Sequence, residues 1–186
     1  MGTDELHNIL IDSIDELYRK DSDLITKNLH ERTISHKLAV YLGDRIYPLC
    51  LNLDVDFEYN GDVENTANNY KKSLKFLSDK LTKINQKVKN DKEFQTLSVY
   101  PDIIVHKRRE NENNLLLIEI KKKYKGRLVN DEFDRLKLRH YTSDSHENHL
   151  KYKLGAYIEF DTLISGKSYR IDYYQDGELI RKVHSP

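Results

Sequence analysis

A mixed α/β fold, with a central β-sheet flanked by helices, is predicted by three features of the sequence. The chain opens with two amphipathic helical patterns, its second half breaks into short β-branched and aromatic runs, and one further helical pattern lies between those runs. At 186 residues there is enough chain for one domain with a sizeable core. Hydrophobic residues at 38%, with only seven Gly and three Pro, exclude a collagen-like or broadly disordered polypeptide.

The first helix is expected over residues 4–19, where Leu6, Ile9, Leu10, Ile14, Leu17 and Tyr18 recur at helical spacing. Asp21-Ser22-Asp23 reads as the cap of a second helix running to Leu42, and Gly43 is placed to end it. Residues 49–59 alternate strictly, with Leu49, Leu51, Leu53, Val55, Phe57 and Tyr59 on one side and Asp54 and Asp56 on the other, which predicts a strand. After the turn at 60–62, Tyr70, Leu74, Leu77, Leu81, Ile84 and Val88 alternate at spacings of four and three, which predicts a long helix over 70–88. That stripe lasts under three heptads, favouring packing on the parent sheet over a dimeric coiled coil. A strand over 97–106, a polar turn and a strand over 115–121 read as a hairpin. A helix over 131–141, a strand over 153–160 and a last hairpin, 169–174 with 179–183 around Asp176-Gly177, complete the order.

A net charge of zero conceals a split. Residues 1–70 carry six basic against 14 acidic side chains, and residues 71–186 carry 25 against 17. The basic residues concentrate at Lys107, Arg108, Arg109, Lys121, Lys122, Lys123, Lys125 and Arg127, a density suited to a polyanion. No window approaches the roughly 18 uninterrupted apolar residues of a membrane span, so no membrane partner is expected. The start lacks the basic end and apolar run of a secretory signal, and the single Cys50 has no disulfide partner, so a reducing, cytoplasmic location is expected.

The residues richest in chemistry sit in the expected hairpin. Pro101-Asp102 is the one Pro-Asp pair of the chain and precedes Ile103-Ile104-Val105. Glu119-Ile120-Lys121, the one place where an acid stands two positions before a lysine, closes the apolar run Leu115-Leu116-Leu117-Ile118. A carboxylate buried in such a strand costs several kcal/mol unless a cation compensates it. On adjacent antiparallel strands Asp102 and Glu119 would converge, and Lys121 shares the face of Glu119 because side chains at i and i+2 point the same way. Two carboxylates are hard oxygen ligands suited to Mg²⁺ or Mn²⁺, and a lysine beside them can orient or help deprotonate water, the arrangement that phosphodiester hydrolysis needs.

Through Pro101-Asp102 and Glu119-Ile120-Lys121 the sequence resembles the PD-(D/E)XK nuclease superfamily, over roughly residues 31–160. The resemblance implies one domain over 1–186 with a restriction-endonuclease-like core, N-terminal helices over 1–43 and a helical insertion over 62–92. It makes Asp102 and Glu119 ligands of Mg²⁺ (or Mn²⁺), Lys121 the residue that positions water, and Glu31, ahead of the core sheet, the residue that completes the metal site. The Gln-x-x-x-Tyr motif of the RecB-like branch is met only in its tyrosine, since Lys137 stands at the glutamine position before Tyr141.

The expected activity is that of a Mg²⁺-dependent nuclease on DNA, ahead of RNA; the alternative is a module that keeps the fold and binds nucleic acid or an assembly without turnover. Lys107, Arg108, Lys122, Lys123, Lys125, Arg127, Lys137 and Tyr141 are the expected nucleic-acid contacts. A homodimer and a subunit of a larger assembly are both compatible with the sequence.

Overall fold

The computed structural model describes residues 1–27, 29–49, 51–62, 71–84, 86–88, 92–123, 131–145 and 148–185. Cys50, Lys125 and Arg127 lie outside the described residues, as do residues 63–70 and 89–91 of the expected helical insertion.

The chain opens with α1 (Thr3–Thr26), whose Leu6, Leu10, Ile14 and Leu17 form the fully buried stripe that their spacing predicts. Asp21-Ser22-Asp23 does not end the helix. It marks a kink instead, with Asp21 at φ −133° accepting a hydrogen bond from the Tyr41 hydroxyl. Helix α2 (Glu31–Ile46) starts eight residues after Asp23, with His30 at its N-cap. Gly43 lies inside α2 rather than at its end, because the Tyr47 ring packs onto it and a Cβ there would come within 2.9 Å of that ring. A 3-10 turn, Tyr47–Leu49, replaces the first part of the expected strand, which shortens to β1 (Asp54–Phe57).

The expected long helix over 70–88 is not formed. In its place stand β2 (Ser73–Leu77) and the six-residue α3 (Ser78–Lys83). Leu74, Leu77 and Leu81 fit a helical period, but Leu74 and Phe76 are buried at a period of two, and Leu74 pairs with Leu97 across the sheet. The strand expected over 97–106 is split into β3 (Phe94–Ser98), which pairs with β2, and β4 (Ile103–His106). Pro101 sits at the break, where it contributes no N–H to a ladder.

The rest follows β5 (Leu116–Lys123), α4 (Glu132–Thr142), β6 (Leu154–Asp161), β7 (Tyr169–Gln175) and β8 (Glu178–His184). The main sheet has six strands in the order β1-β4-β5-β6-β7-β8. β5 and β6 are parallel with α4 as their crossover, and the other neighbours are antiparallel. Asp176 and Gly177, at φ 50° and 80°, make the tight turn between β7 and β8. Strand β8 is the outer edge, largely exposed, with a register shift opposite Tyr173 and Tyr174.

The sheet separates two cores. Leu116, Ile118 and Ile120 of β5 pack with α1 and α2, whereas Leu117 packs with Leu138 and Tyr141 of α4 and with Leu74 and Phe76 of the β2–β3 hairpin. β5 is therefore covered on both faces, as a central strand of a mixed sheet should be. No helix among the described residues is long and apolar enough to cross a membrane.

Candidate functional site

The site begins where two strands part. β4 and β5 pair from Val105↔Leu116 to Ile103↔Ile118, and beyond that point β5 continues beside β6 alone as far as Lys123↔Asp161. Two backbone N–H groups on the vacated side of β5 would lack ladder partners, and side-chain carboxylates take them. The N–H of Ile120 donates to Asp102 Oδ2 at 2.7 Å, and the N–H of Lys122 donates to Glu31 Oε1 at 3.2 Å. Asp102 is placed by the Pro101 break just before β4, and Glu31 by the first turn of α2.

On the face of β5 toward α4, Glu119 and Lys121 meet two residues of that helix. Lys121 Nζ lies 2.9 Å from Asp134 Oδ2, while Lys137 Nζ lies 2.8 Å from both Asp134 Oδ1 and Glu119 Oε1. Asp134 and Lys137 are one turn apart on α4, so both reach the same strand. Glu119 is 2% exposed, and Lys137 and Asp134 are also buried. The ammonium of Lys137 is close to Glu119 Oε1 but off the angle of a directed hydrogen bond, which leaves that buried oxygen without an aligned donor among the described residues.

Burial dominates the electrostatics. It pushes Asp102 up to about 6, against the Ile120 N–H and the charges of Lys137 and Lys121. Burial likewise holds Glu119 well above the usual carboxylate range, only partly offset by Lys137. Lys121 is raised, because the charges of Asp134, Glu31 and Asp102 together outweigh its own desolvation, and it is an ammonium at neutral pH. Lys137 is raised in the same way by Glu119 and Asp134. Asp134 is lowered, since the two lysines outweigh its burial.

Asp102, Glu119, Lys121 and Glu31 are thus gathered around four residues of β5, with Glu31 engaged by backbone. Among the described residues, no group of three or more His, Cys, Asp or Glu side chains is disposed to hold a metal ion, so Glu31 does not close a three-carboxylate set with Asp102 and Glu119. The donor chemistry of Asp102 and Glu119 nonetheless fits a divalent cation: two hard oxygen groups, both disfavoured as anions by burial, one with an unaligned buried oxygen.

Several expected nucleic-acid contacts are placed elsewhere. Tyr141 is fully buried edge-to-face against Tyr152, at 5.7 Å between ring centroids, and presents no face to a base. Lys137 belongs to the carboxylate cluster. Lys122 turns to the helical layer, where its ammonium donates to the Leu29 carbonyl. The more exposed cations are paired within the chain: Lys107 with Glu110 at 2.8 Å, Arg108 with Asp56 at 2.8 Å, and Lys123 with Asp161 at 3.0 Å.

Asp134 and the cluster role of Lys137 escaped the sequence reading. Their signal was available: Asp134, Lys137, Leu138 and Tyr141 form one helical stripe, and two opposite charges inside an apolar stripe imply buried partners. Asp56, on the polar side of β1, is buried with His106 at 2.9 Å and with Arg108. No protein-family model, curated protein or solved structure matches the chain, so its function is read from this cluster.

Proposed function

We propose that this chain is a PD-(D/E)XK-type nuclease that hydrolyses phosphodiester bonds with a divalent cation, in DNA ahead of RNA. The observation that carries the reading is the convergence of Asp102, Glu119 and Lys121 where β4 leaves β5, with Glu119 buried, Asp102 half-buried and both carboxyls raised in pKa by that burial. Asp102 and Glu119 would hold Mg²⁺ or Mn²⁺, which when bound supplies Lewis acidity toward a phosphate oxygen.

The chain's own groups account for the remainder. Lys121 is 27% exposed at its side chain and raised in pKa, so it presents an ammonium to solvent. It serves as a donor that orients water or a phosphate oxygen and stabilises negative charge developing on phosphorus, not as a base. Asp134 fixes the direction of that ammonium. In the reaction, the water oxygen forms a bond to phosphorus and gives up a proton to solvent, while the bond to the leaving ester oxygen breaks, that oxygen keeping the electron pair and taking a proton from solvent to leave as an alcohol.

Cleavage of supercoiled plasmid, linear duplex, single-stranded DNA and RNA, each with Mg²⁺, Mn²⁺ or chelator, tests the proposal. Cleavage is expected in metal and absent in chelator, and Lys121→Ala should slow it on the order of 10²-fold or more. Undiminished cleavage in Lys121→Ala, or none on any substrate by the wild type, would refute it. The second reading, a module without turnover, is favoured by one observation: the Lys137 ammonium lies 2.8 Å from Glu119 Oε1, where it partly offsets the charge that a cation would otherwise meet. It predicts nucleic-acid binding with no cleavage and no thermal response to Mn²⁺.

A further inference from the structure

Lys137 is the side-chain cation that acts most strongly on both candidate ligands. Its ammonium lies 2.8 Å from Glu119 Oε1, with only 8% of the side chain exposed. Its charge outweighs that of Lys121 at Asp102, and it is the leading offset to the burial of Glu119. A divalent cation held by Asp102 and Glu119 has the same task in the same space. Two positive charges so close in a buried site repel strongly, so the two compete.

The ammonium has a second place to stand. Asp134 Oδ1 is also 2.8 Å from it, and the ring of Phe133 is centred 5.6 Å away, within cation–π range. Both residues belong to α4, three and four positions before Lys137, whereas Glu119 belongs to β5. Giving up Glu119 therefore leaves Lys137 with two partners carried by its own helix. The contact with Glu119 is also the poorly directed one, off the angle of a hydrogen bond. A sodium or potassium ion would bring only the single charge that Lys137 already supplies, while a divalent ion brings two.

We infer that Lys137 is the resident counter-cation of this site, and that a divalent cation enters by displacing its ammonium from Glu119 toward Asp134 and Phe133. The inference rests on the reading of Asp102 and Glu119 as cation ligands, and not on the identity of any substrate. With Lys137 in place, the carboxylates keep a counter-charge when no ion is bound. The same ammonium opposes entry, so the site fills only above a threshold of divalent-ion concentration that Lys137 sets. Lys121 keeps Asp134 Oδ2 throughout, and the lysine assigned to orient water is undisturbed by the exchange.

The test is isothermal titration of Mn²⁺ into the full chain and three variants, each first shown to be folded by circular dichroism, at constant pH and ionic strength. Lys137→Gln removes the charge but keeps a donor for Glu119, and should bind Mn²⁺ about tenfold or more tightly than wild type. Lys137→Arg keeps the charge and should bind no more tightly than wild type. Lys107→Gln, at an exposed ion pair, should stay within about twofold of wild type. A second measurement uses the wild type alone. In lysine-labelled protein, the side-chain resonance that Lys137→Arg removes should shift as Mg²⁺ is added and stay in place in K⁺ at equal ionic strength.

Mn²⁺ bound no more tightly by Lys137→Gln than by wild type, or bound more tightly by Lys137→Arg, would overturn the inference. So would a wild type that binds no Mn²⁺, a Lys137 resonance unmoved when Mg²⁺ saturates, or an equal shift in K⁺. If Lys137→Gln fails to fold, the wild-type resonance decides alone. The two readings fail separately. A gain of Mn²⁺ affinity in Lys137→Gln, with no nucleic acid cut by the wild type, keeps the counter-cation and removes the nuclease. A wild type that cuts, with no gain of affinity in Lys137→Gln, does the reverse.

Discussion

Replacing Asp102 by Asn removes a charge while keeping an oxygen to accept the Ile120 N–H, so it isolates what the charge does. Burial raises this carboxyl from an ordinary 3.8 to about 6, which means the folded protein holds the proton more tightly than the unfolded chain. Between those two pH values the native state carries more protons, so stability falls as pH rises, and the loss is complete above about pH 7. Linkage converts the move from 3.8 to about 6 into about 3 kcal/mol, and partial solvent access reduces that to about 2. In chelator at about pH 7.5, Asp102→Asn should therefore be more stable than wild type by about 2 kcal/mol, or roughly 4–8 °C in Tm for a chain of this length. At about pH 4, where the wild-type carboxyl is neutral, the two should nearly coincide. Saturating Mn²⁺ should reverse the order, since a cation at about 100 times its Kd stabilises the wild type by about 2.7 kcal/mol and the variant much less. Urea denaturation of both proteins at three pH values, in chelator and in Mn²⁺, reads all of this. A variant less stable than wild type in chelator at neutral pH would show that the negative charge holds the sheet together, and the reasoning about a cation site would fail.

Two further perturbations probe the neighbours of that carboxyl. Lys137→Met keeps the aliphatic stem but withdraws the ammonium from between Glu119 and Asp134. Glu119 can then take up a proton and Asp134 retains Lys121, so the loss should sit at the low end for a broken buried pair, about 3 kcal/mol, or roughly 6–12 °C in Tm by calorimetry; an unchanged Tm would show that the pair is not formed. Tyr141→Phe deletes a buried hydroxyl that has no hydrogen-bond partner among the described residues, and should raise stability by about 1 kcal/mol in urea with nucleic-acid binding unaltered. Weakened nucleic-acid binding in Tyr141→Phe would return that residue to the nucleic-acid surface.

The pairing of β4 with β5 and the shared face of Glu119 and Lys121 were legible because both follow from strict alternation between segments close in sequence. The Asp176-Gly177 turn was legible from the φ values that its residues tolerate. Residues 73–83 were not, because Leu74, Leu77 and Leu81 satisfy a helical period and also a strand followed by one helical turn, and the choice is made by pairing with Leu97. Nor could residues 107–123 be judged from the count of their cations, since the partners of Arg108 and Lys123 come from β1 and β6, at separations of tens of residues. Pattern reveals what faces what within an element, but neutralisation is decided by neighbours that only the folded sheet supplies.

The main sheet is also open at β8, and an open strand edge is a template on which other chains can add and aggregate. This one is protected. Glu178, Arg181 and Lys182 are exposed along it, and the register shift against β7 breaks the flat geometry that repeated strand addition requires. Seven residues of this last strand thus carry the charges and the irregularity that oppose strand addition at this edge, independently of the carboxylate cluster on β5.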